Sequence, residues 1–303
     1  MLWYLGYYKE EHPFSAVPAD FEYPNPKQAI SNDKPSLLWL NHSSFFVTYN
    51  KIGFLTDPIW NERCSPFHFV GPKRRHPPPL PLSQLPCLDF VLISHNHYDH
   101  LDRWTVEQLS DHHPDAVWVV PLGLKSWLRK WGVKNVVELD WWERVEYSRS
   151  CGMGCSISAV PAQHYSGRSL FDFNQSLWAG WVVELFCRDN EVKRFYYAGD
   201  TGYNAKDFKR VGEQFGEIDL SLIPIGVYSP KKFMRPIHVE PEEAVLIHQD
   251  VNSKLSVAAH WKTFKLSDES PQQPPYDLYR VLENKNIPHR TFRVLDPGQW
   301  INW

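Results

Sequence analysis

The chain has 303 residues, of which 43% are hydrophobic and 22% charged, and its formal net charge at pH 7 is -3. This composition is that of a folded globular protein, which excludes a disordered or fibrous chain. The small negative net charge gives no overall attraction to nucleic acid, so we expect no nucleic-acid partner. At this length we expect one large domain with a substantial core.

Residues 1–35 are rich in proline and aromatic residues without clear periodicity. We expect them to form an N-terminal arm packed on a single domain of residues 36–303. The apolar residues at the start have no basic segment before them, which argues against a signal peptide, and no run approaches the ~20 apolar residues of a membrane span. We therefore expect an intracellular protein that does not cross a membrane.

Short β-prone runs at 37–40, 45–49 and 53–57 predict a meander of strands. After a proline-dense loop, an apolar strand is predicted at 90–93, and β-prone and helical segments alternate from there. Further strands are predicted at 117–120, 136–139, 156–160, 177–184, 194–198, 219–223 and 255–259, with helices at about 122–131 and from Pro241 onward. This alternation predicts an α/β fold with helices covering sheets.

The five cysteines are odd in number and scattered along the chain. They do not form a disulfide framework of the kind found in small secreted proteins, which favours a reducing compartment. Cys151 and Cys155 flank a Gly-Met-Gly turn. Without a second pair of ligands this spacing favours a plain hairpin over a metal site.

Four potential metal ligands follow directly after the predicted strand at 90–93. They are His95, His97, Asp99 and His100. Neutral imidazoles and a carboxylate are ligands that zinc prefers, and this spacing supplies donors for two ions. The first two residues would serve one ion and the last two the other. A polar turn with solvated histidines is the alternative, but the density of ligands favours a metal site.

Three more candidates each follow an apolar strand, namely His164, Asp200 and His260. Each is a weak signal alone, because a histidine at a strand end is more often a hydrogen-bonded core or surface residue. Together they complete a site for two ions, in which Asp200 bridges and space remains for a hydroxide. The sequence therefore predicts a metal-dependent hydrolase.

The same ligands resemble those of the metallo-β-lactamase superfamily. From about Trp39 to about Glu269 the chain is similar to one family within it, the N-acylphosphatidylethanolamine phospholipases D. The similarity is carried by the runs at 54–59, 71–74, 91–102, 120–124, 198–203 and 238–244, by Leu139-Asp140-Trp141-Trp142-Glu143 and by Ile223-Pro224-Ile225-Gly226. The superfamily ligands indicate only fold and metals, whereas the last two runs indicate the family.

The resemblance implies a metallo-β-lactamase αβ/βα sandwich, with two mixed β-sheets flanked by helices, and a centre of two Zn2+ ions. It assigns His95, His97 and His164 to one zinc, Asp99, His100 and His260 to the other, and Asp200 to both. It also implies a peripheral membrane homodimer that hydrolyses N-acylphosphatidylethanolamine to N-acylethanolamine and phosphatidic acid. A metal-bridging hydroxide would attack phosphorus directly, with Asp200, His260 and Asp99 as catalytic ligands.

Five further residues are candidates around the metals. Asp57, Asp102 and His42 are expected to orient ligand imidazoles, although local turn capping explains them equally well. Tyr98 lies inside the ligand cluster. Lys262 stands where the family tends to have glycine and would add a positive charge beside the phosphate.

Basic clusters with apolar neighbours are candidates for contact with a membrane surface. They are Lys73, Arg74 and Arg75 in the proline-dense loop, and Lys231, Lys232 and Arg235 around Phe233 and Met234. Solvated loops are the alternative interpretation.

Other functions share part of this pattern. A soluble hydrolase of the same fold, such as a lactonase or a nucleotide phosphodiesterase, would have every metal ligand but no affinity for membranes. A di-iron electron-transfer protein usually has glutamate where this chain has His97, and it adds a flavin domain. A non-catalytic binding module is disfavoured because the ligand set is complete.

Overall fold

The computed structural model describes residues 14–25, 34–148, 154–169, 171–186 and 192–303. In chain order the described strands are β1 (Ser36–Asn41), β2 (Ser44–Tyr49), β3 (Ile52–Thr56), β4 (Phe90–Leu92), β5 (Val117–Pro121), β6 (Val136–Leu139), β7 (Arg144–Ser148), β8 (Gly154–Val160), β9 (Gly180–Phe186), β10 (Val192–Tyr197), β11 (Leu220–Pro224), β12 (Ser256–Ala259), β13 (Phe292–Arg293) and β14 (Trp300–Asn302). The helices are α1 (Arg103–His112), α2 (Lys125–Lys130), α3 (Ala205–Phe215), α4 (Lys231–Met234), α5 (Pro241–Asp250) and α6 (Gln273–Asn284).

The strands form two mixed sheets of seven strands each. The first has the order β14-β1-β2-β3-β4-β5-β6, and the second has the order β13-β12-β11-β10-β9-β8-β7. In the first sheet β3 to β6 are parallel and the remaining neighbours antiparallel. In the second sheet β10 to β13 are parallel, whereas β7 to β10 are antiparallel. The predicted sandwich of two mixed sheets with flanking helices is confirmed.

The core lies on both faces of the first sheet, because successive side chains of a strand point to opposite faces. In β4, Phe90 and Leu92 join the cluster between the sheets. Val91 packs instead with α1 and α2 on the outer face. Phe54 stacks on Phe90 with ring centroids 4.5 Å apart and meets Phe195 of the second sheet edge-on at 5.1 Å. A strand buried on both faces reads as a continuous apolar run, as β4 does.

Several elements were not predicted from the sequence. Helices α1, α3, α4 and α6 and the strands β7, β13 and β14 are additional. The predicted helix at about 122–131 begins only at Lys125, after a turn in which Gly123 has φ +91°. The predicted strand at 177–184 is instead β9, which begins at Gly180.

Residues 14–25 of the predicted arm lie against the C-terminal part of the chain. Phe21 meets the ring of Tyr276 edge-on with centroids 4.9 Å apart, and the Tyr23 hydroxyl donates to the carbonyl of Phe292 at 2.5 Å. The rest of the predicted arm at 1–13 and 26–33 lies outside the described residues, as does Cys151 of the predicted hairpin. The division into an arm and one domain stays a prediction.

None of the helices in the described ranges has the length and apolar character needed to span a bilayer.

Candidate metal centre

The predicted ligands meet at one edge of the sandwich, where four strands end. His95 follows β4, His164 follows β8, Asp200 follows β10 and His260 follows β12. The carboxyl ends of β8, β10 and β12 lie at the same edge of the second sheet because these strands run in the same direction. Gly199 allows close approach at this edge, since a Cβ there would lie 2.8 Å from Ser94 Cβ.

One group of ligands is formed by three histidines. His97 Nδ1 lies 2.8 Å from His95 Nε2 and 3.2 Å from His164 Nε2. Asp200 Oδ2 lies 3.9 Å from His95 Nε2 and 3.8 Å from His164 Nε2. Donors on a tetrahedral zinc at its usual bond lengths are separated by about 3.3 Å. These four atoms therefore fit one divalent ion.

The second group shares Asp200 with the first. Asp99 Oδ2 lies 3.3 Å from both His100 Nε2 and His260 Nε2. Asp200 Oδ2 lies 3.2 Å from the same atom of His100 and 3.0 Å from that of His260. The structure thus brings all seven predicted ligands together, with one oxygen of Asp200 facing both groups.

Charge and burial at the centre suit cations. Burial holds the pKa values of His95 and His164 well below their usual range and lowers that of His97 to about 4. These imidazoles are therefore neutral near pH 7, so that a ring nitrogen of each can bind a metal ion. Burial also opposes protonation of His260, but the carboxylates of Asp200 and Asp99 raise its pKa to about 9. The carboxylates therefore require positive charge beside them, which divalent ions would supply on displacing protons.

A buried atom of the centre supports the fit to a metal. Asp200 Oδ1 makes no hydrogen bond with any described part of the chain. A buried polar atom without a partner carries a free-energy cost unless another group satisfies it. The donor set of imidazole nitrogens and carboxylate oxygens fits divalent ions and supports a metal cofactor.

Asp57, which was predicted to lie behind the ligands, contacts His100. Its Oδ2 lies 2.6 Å from His100 Nδ1 and also accepts from the Tyr197 hydroxyl at 2.5 Å. The backbone N–H and the hydroxyl of Ser94 donate to the same carboxylate at 2.7 and 2.5 Å. Because its Nδ1 is fixed in this way, His100 presents Nε2 to the metal site.

The other predicted surrounding residues make different contacts. Asp102 caps α1, since its carboxylate accepts from the Thr105 backbone N–H at 3.1 Å and from Asn61 Nδ2 at 2.7 Å. These contacts match local capping rather than the orientation of an imidazole. Lys262 Nζ lies 3.4 Å from Asp296 Oδ1. Tyr98 lies beneath the guanidinium of Arg168, whose carbon is 3.9 Å from the ring centroid.

His42 contacts Asp99 rather than a ligand nitrogen. Its Nε2 lies 2.9 Å from Asp99 Oδ2, and its ring centroid lies 4.1 Å from that of His260. Burial lowers the pKa of His42 to about 3.

Sequence reasoning did not identify two residues that border the centre. His238 is buried, its ring stacks on His260 at 5.3 Å, and its Nδ1 lies 3.9 Å from Asp200 Oδ2. It lies in the loop after α4 rather than at a strand end, so the pattern of ligands at strand ends does not predict it. Tyr165 follows His164 and lies edge-on to His97 with centroids 4.5 Å apart. Its place next to a ligand was the available signal.

Comparison with known proteins gives the superfamily and the fold. The family described as "Beta-lactamase superfamily domain" matches residues 53–261. A possible metal-dependent hydrolase from Veillonella parvula has the same fold, with a TM-score of 0.67 at 16% identity over 89% of this chain and 100% of that one. The protein thus has the metallo-β-lactamase fold, and its ligand set and the two relatives that follow make it a metal-dependent hydrolase.

Two relatives define the family more narrowly. The N-acyl-phosphatidylethanolamine-hydrolyzing phospholipase D 1 of Caenorhabditis elegans is 39% identical over 86% of this chain and 74% of its own length. The mitochondrial N-acyl-phosphatidylethanolamine-hydrolyzing phospholipase D of Saccharomyces cerevisiae is 37% identical over 81% of this chain, which spans 51% of that protein. The chain belongs to the β-lactamase superfamily and, within it, to the family of these phospholipases D, as its sequence predicted.

Proposed function

We propose that the protein is a zinc-dependent phosphodiesterase of the phospholipase D type. It hydrolyses N-acylphosphatidylethanolamine to N-acylethanolamine and phosphatidic acid. The observation that carries the proposal is the position of Asp200 Oδ2, within 3.9 Å of the nearest nitrogens of His95, His100, His164 and His260. This position supports a carboxylate oxygen shared by two ion sites, and the named activities of the relatives support the proposed substrate class.

The protein's own residues hold and orient this centre. His95, His97 and His164 would hold one Zn2+, Asp99, His100 and His260 the other, and Asp200 both. Two bound divalent ions supply positive charge for phosphoryl oxygens and bring the pKa of water towards neutrality. His164 Nδ1 donates to the carbonyl of Ile237 at 2.9 Å, which directs its Nε2 to the site. His238 Nδ1 lies 3.9 Å from Asp200 Oδ2 and lacks a hydrogen-bond partner within the described ranges, and in this proposal it would contact a phosphoryl oxygen.

Exposed aromatic residues support contact with a lipid surface. Phe67 and Phe69 are 54% and 71% exposed on one loop, while Phe171 and Phe173 are 93% and 61% exposed on another. The ring of Phe173 lies 5.5 Å from that of Tyr165, which in turn contacts the ligand His97. The second loop thus connects the proposed membrane surface to the metal centre. Exposed aromatic side chains of this kind gain free energy at a membrane interface.

The predicted basic clusters support membrane contact less well. Lys73 pairs with Glu62 at 2.6 Å, Lys231 with Glu240 at 2.5 Å, and Arg235 with Glu243 at 2.8 Å. Their charges are therefore partly neutralised within the protein. Peripheral attachment inside the cell, a homodimer and the lack of a nucleic-acid partner remain parts of the proposal.

The test combines metal content with product analysis on N-acylphosphatidylethanolamine in mixed micelles. The wild type should contain about two zinc ions per chain and release N-acylethanolamine. Asp200→Asn should lose at least one ion and the activity, since the amide is a poorer ligand for both sites. The exposed Asp111→Asn on α1 is the matched control and should behave as wild type.

Two outcomes would contradict the proposal. Metal-loaded wild type without lipid turnover would direct the search to soluble phosphodiesters and lactones. Full activity in Asp200→Asn would exclude the bridging carboxylate from the reaction.

A further inference from the structure

His42 lies in the turn between β1 and β2, and its backbone has the left-handed φ of +43°. Three hydrogen bonds hold this turn. The His42 N–H donates to Thr263 Oγ1 at 2.7 Å, and its carbonyl accepts from Trp39 Nε1 at 3.1 Å and from the His260 N–H at 3.2 Å. The turn is therefore bonded to the backbone of a metal-ligand residue. A non-glycine residue in this region is strained and persists only where surrounding contacts fix it.

The contact of His42 with Asp99 differs from those of the ligand histidines. Its Nε2 lies 2.9 Å from Asp99 Oδ2, which is a hydrogen-bond distance. His100 and His260 lie 3.3 Å from the same oxygen, as expected for donors that share an ion. His100 and His260 also lie 3.2 and 3.0 Å from Asp200 Oδ2, whereas no nitrogen of His42 lies within 4.0 Å of that oxygen. His42 therefore contacts Asp99 without contacting the shared carboxylate of Asp200, although its ring nitrogen lies within 4.8 Å of ligand atoms of His100 and His260.

The environment of the second ring nitrogen assigns the proton. His42 Nδ1 is buried and has no hydrogen-bond partner in the described chain. A neutral imidazole carries one N–H, and a buried N–H without an acceptor is rarely found in proteins. The hydrogen is thus on Nε2, where Asp99 Oδ2 accepts it.

We propose that His42 is a positioning residue for the second metal site, where its Nε2–H fixes the carboxylate of Asp99 with Oδ2 directed between His100 and His260. This inference rests on the proposed two-ion centre. It explains why a strained turn of the first sheet is bonded to the loop that carries His260. The contact holds the Asp99 carboxylate in position before an ion binds. This raises the affinity of the second site for its ion, because less side-chain ordering is needed on binding.

The test compares two amide variants, His42→Gln and His42→Asn. The Gln side chain carries its N–H2 about as far from the backbone as imidazole Nε2, so it can reach Asp99. The Asn side chain is too short to reach it, but Asn tolerates left-handed backbone better than other non-glycine residues. We expect Asn to leave unfolding of the metal-free protein unchanged or shifted to higher temperature. A purely structural role for His42 would not predict weaker metal binding in such a variant.

Stepwise Co2+ and Zn2+ affinities are measured by competition with a chelator, with Co2+ absorption used to separate the two sites. In His42→Asn the affinity for the second ion should fall about 10–100-fold, and that for the first should change less than about threefold. His42→Gln should stay within about threefold of wild type at both sites. Wild-type affinity in the Asn variant, or equal losses in both variants, would overturn the proposal.

These measurements also separate this inference from the proposed activity. Binding of two ions without turnover of N-acylphosphatidylethanolamine contradicts the activity and leaves the role of His42 intact. A wild type that binds one ion only contradicts both.

Discussion

His248 is a buried histidine that lies outside the metal centre. Its Nδ1 lies 2.8 Å from Ser256 Oγ, and burial lowers its pKa to about 4. The unfolded chain has the ordinary value near 6.5 and so binds more protons than the folded protein between these two pKa values. The contribution of this residue to stability is therefore present above pH 6.5 and is lost as pH falls towards 4.

We expect His248→Gln to reduce the acid sensitivity of folding. Between pH 7 and pH 5 the free energy of unfolding of the metal-free protein should fall by about 2 kcal/mol less in the variant than in wild type. Urea unfolding with a chelator present measures this difference. His112→Gln, at an exposed position of α1, serves as the control. An equal pH dependence in His248→Gln and wild type would show that the ring is protonated without cost in the folded state.

The centre shows which residues sequence reasoning can identify. Histidines and aspartates that directly follow apolar strands could be predicted, because strands of one direction place their carboxyl ends at one edge of a sheet. His238 could not be predicted in this way, since the loop after α4 carries it to His260 and Asp200 from elsewhere. The role of Asp102 was also ambiguous, because the same position suits a helix cap and a residue behind a ligand.

At the scale of elements, α1 begins directly after the ligand cluster and provides a test of Asp102. Its carboxylate accepts from the Thr105 N–H and from Asn61. Asp102→Ala should lower the free energy of unfolding by about 1–2 kcal/mol, because a helix N-cap is lost. The metal content should stay that of wild type. Asp102→Asn should be nearly neutral, since Asn caps helices as well as Asp. Loss of an ion from the Ala variant would instead support a role behind the ligands.

The missed elements have physical explanations. Helix α3 is the exception, because Phe208, Val211 and Phe215 recur at helical spacing between an Asn204 N-cap and Gly216, so its sequence does carry a helical signal. Helix α6 contains Pro274 and Pro275, and two successive prolines in a sequence predict an interruption of a helix. Both prolines lie in the first turn, where a missing N–H costs no helical hydrogen bond. Strands β13 and β14 have two and three residues, too few to show alternation.

At the scale of the whole molecule, the metal centre depends on both sheets. The cluster from His95 to His100 follows a strand of the first sheet, while His164, Asp200 and His260 follow strands of the second. The ligand atoms therefore lie within reach of one another only when the sheets are packed face to face. The sequence could therefore predict which residues are candidate ligands, including Asp200 as the shared one, whereas the distances between their donor atoms depend on the packing of the sheets.

The proposed membrane surface involves two loops that are far apart in the sequence. We expect the double variant Phe171→Ser, Phe173→Ser to lose binding to liposomes, because two highly exposed apolar rings are removed. Each ring contributes about 1.5–3 kcal/mol when fully buried in an apolar phase, so partial insertion of both should weaken binding about 10-fold or more. Flotation with vesicles containing N-acylphosphatidylethanolamine measures this loss.

Phe186→Ser is the control, since this ring is exposed at the end of β9 and belongs to neither loop. Turnover of a short-chain, water-soluble phosphodiester separates membrane contact from damage to the metal centre. If the double variant loses flotation but keeps that turnover, the loop acts in surface contact and not in chemistry. If both decline together, the contact of Phe173 with Tyr165 is needed to maintain the centre itself, and the lipid surface must be sought elsewhere.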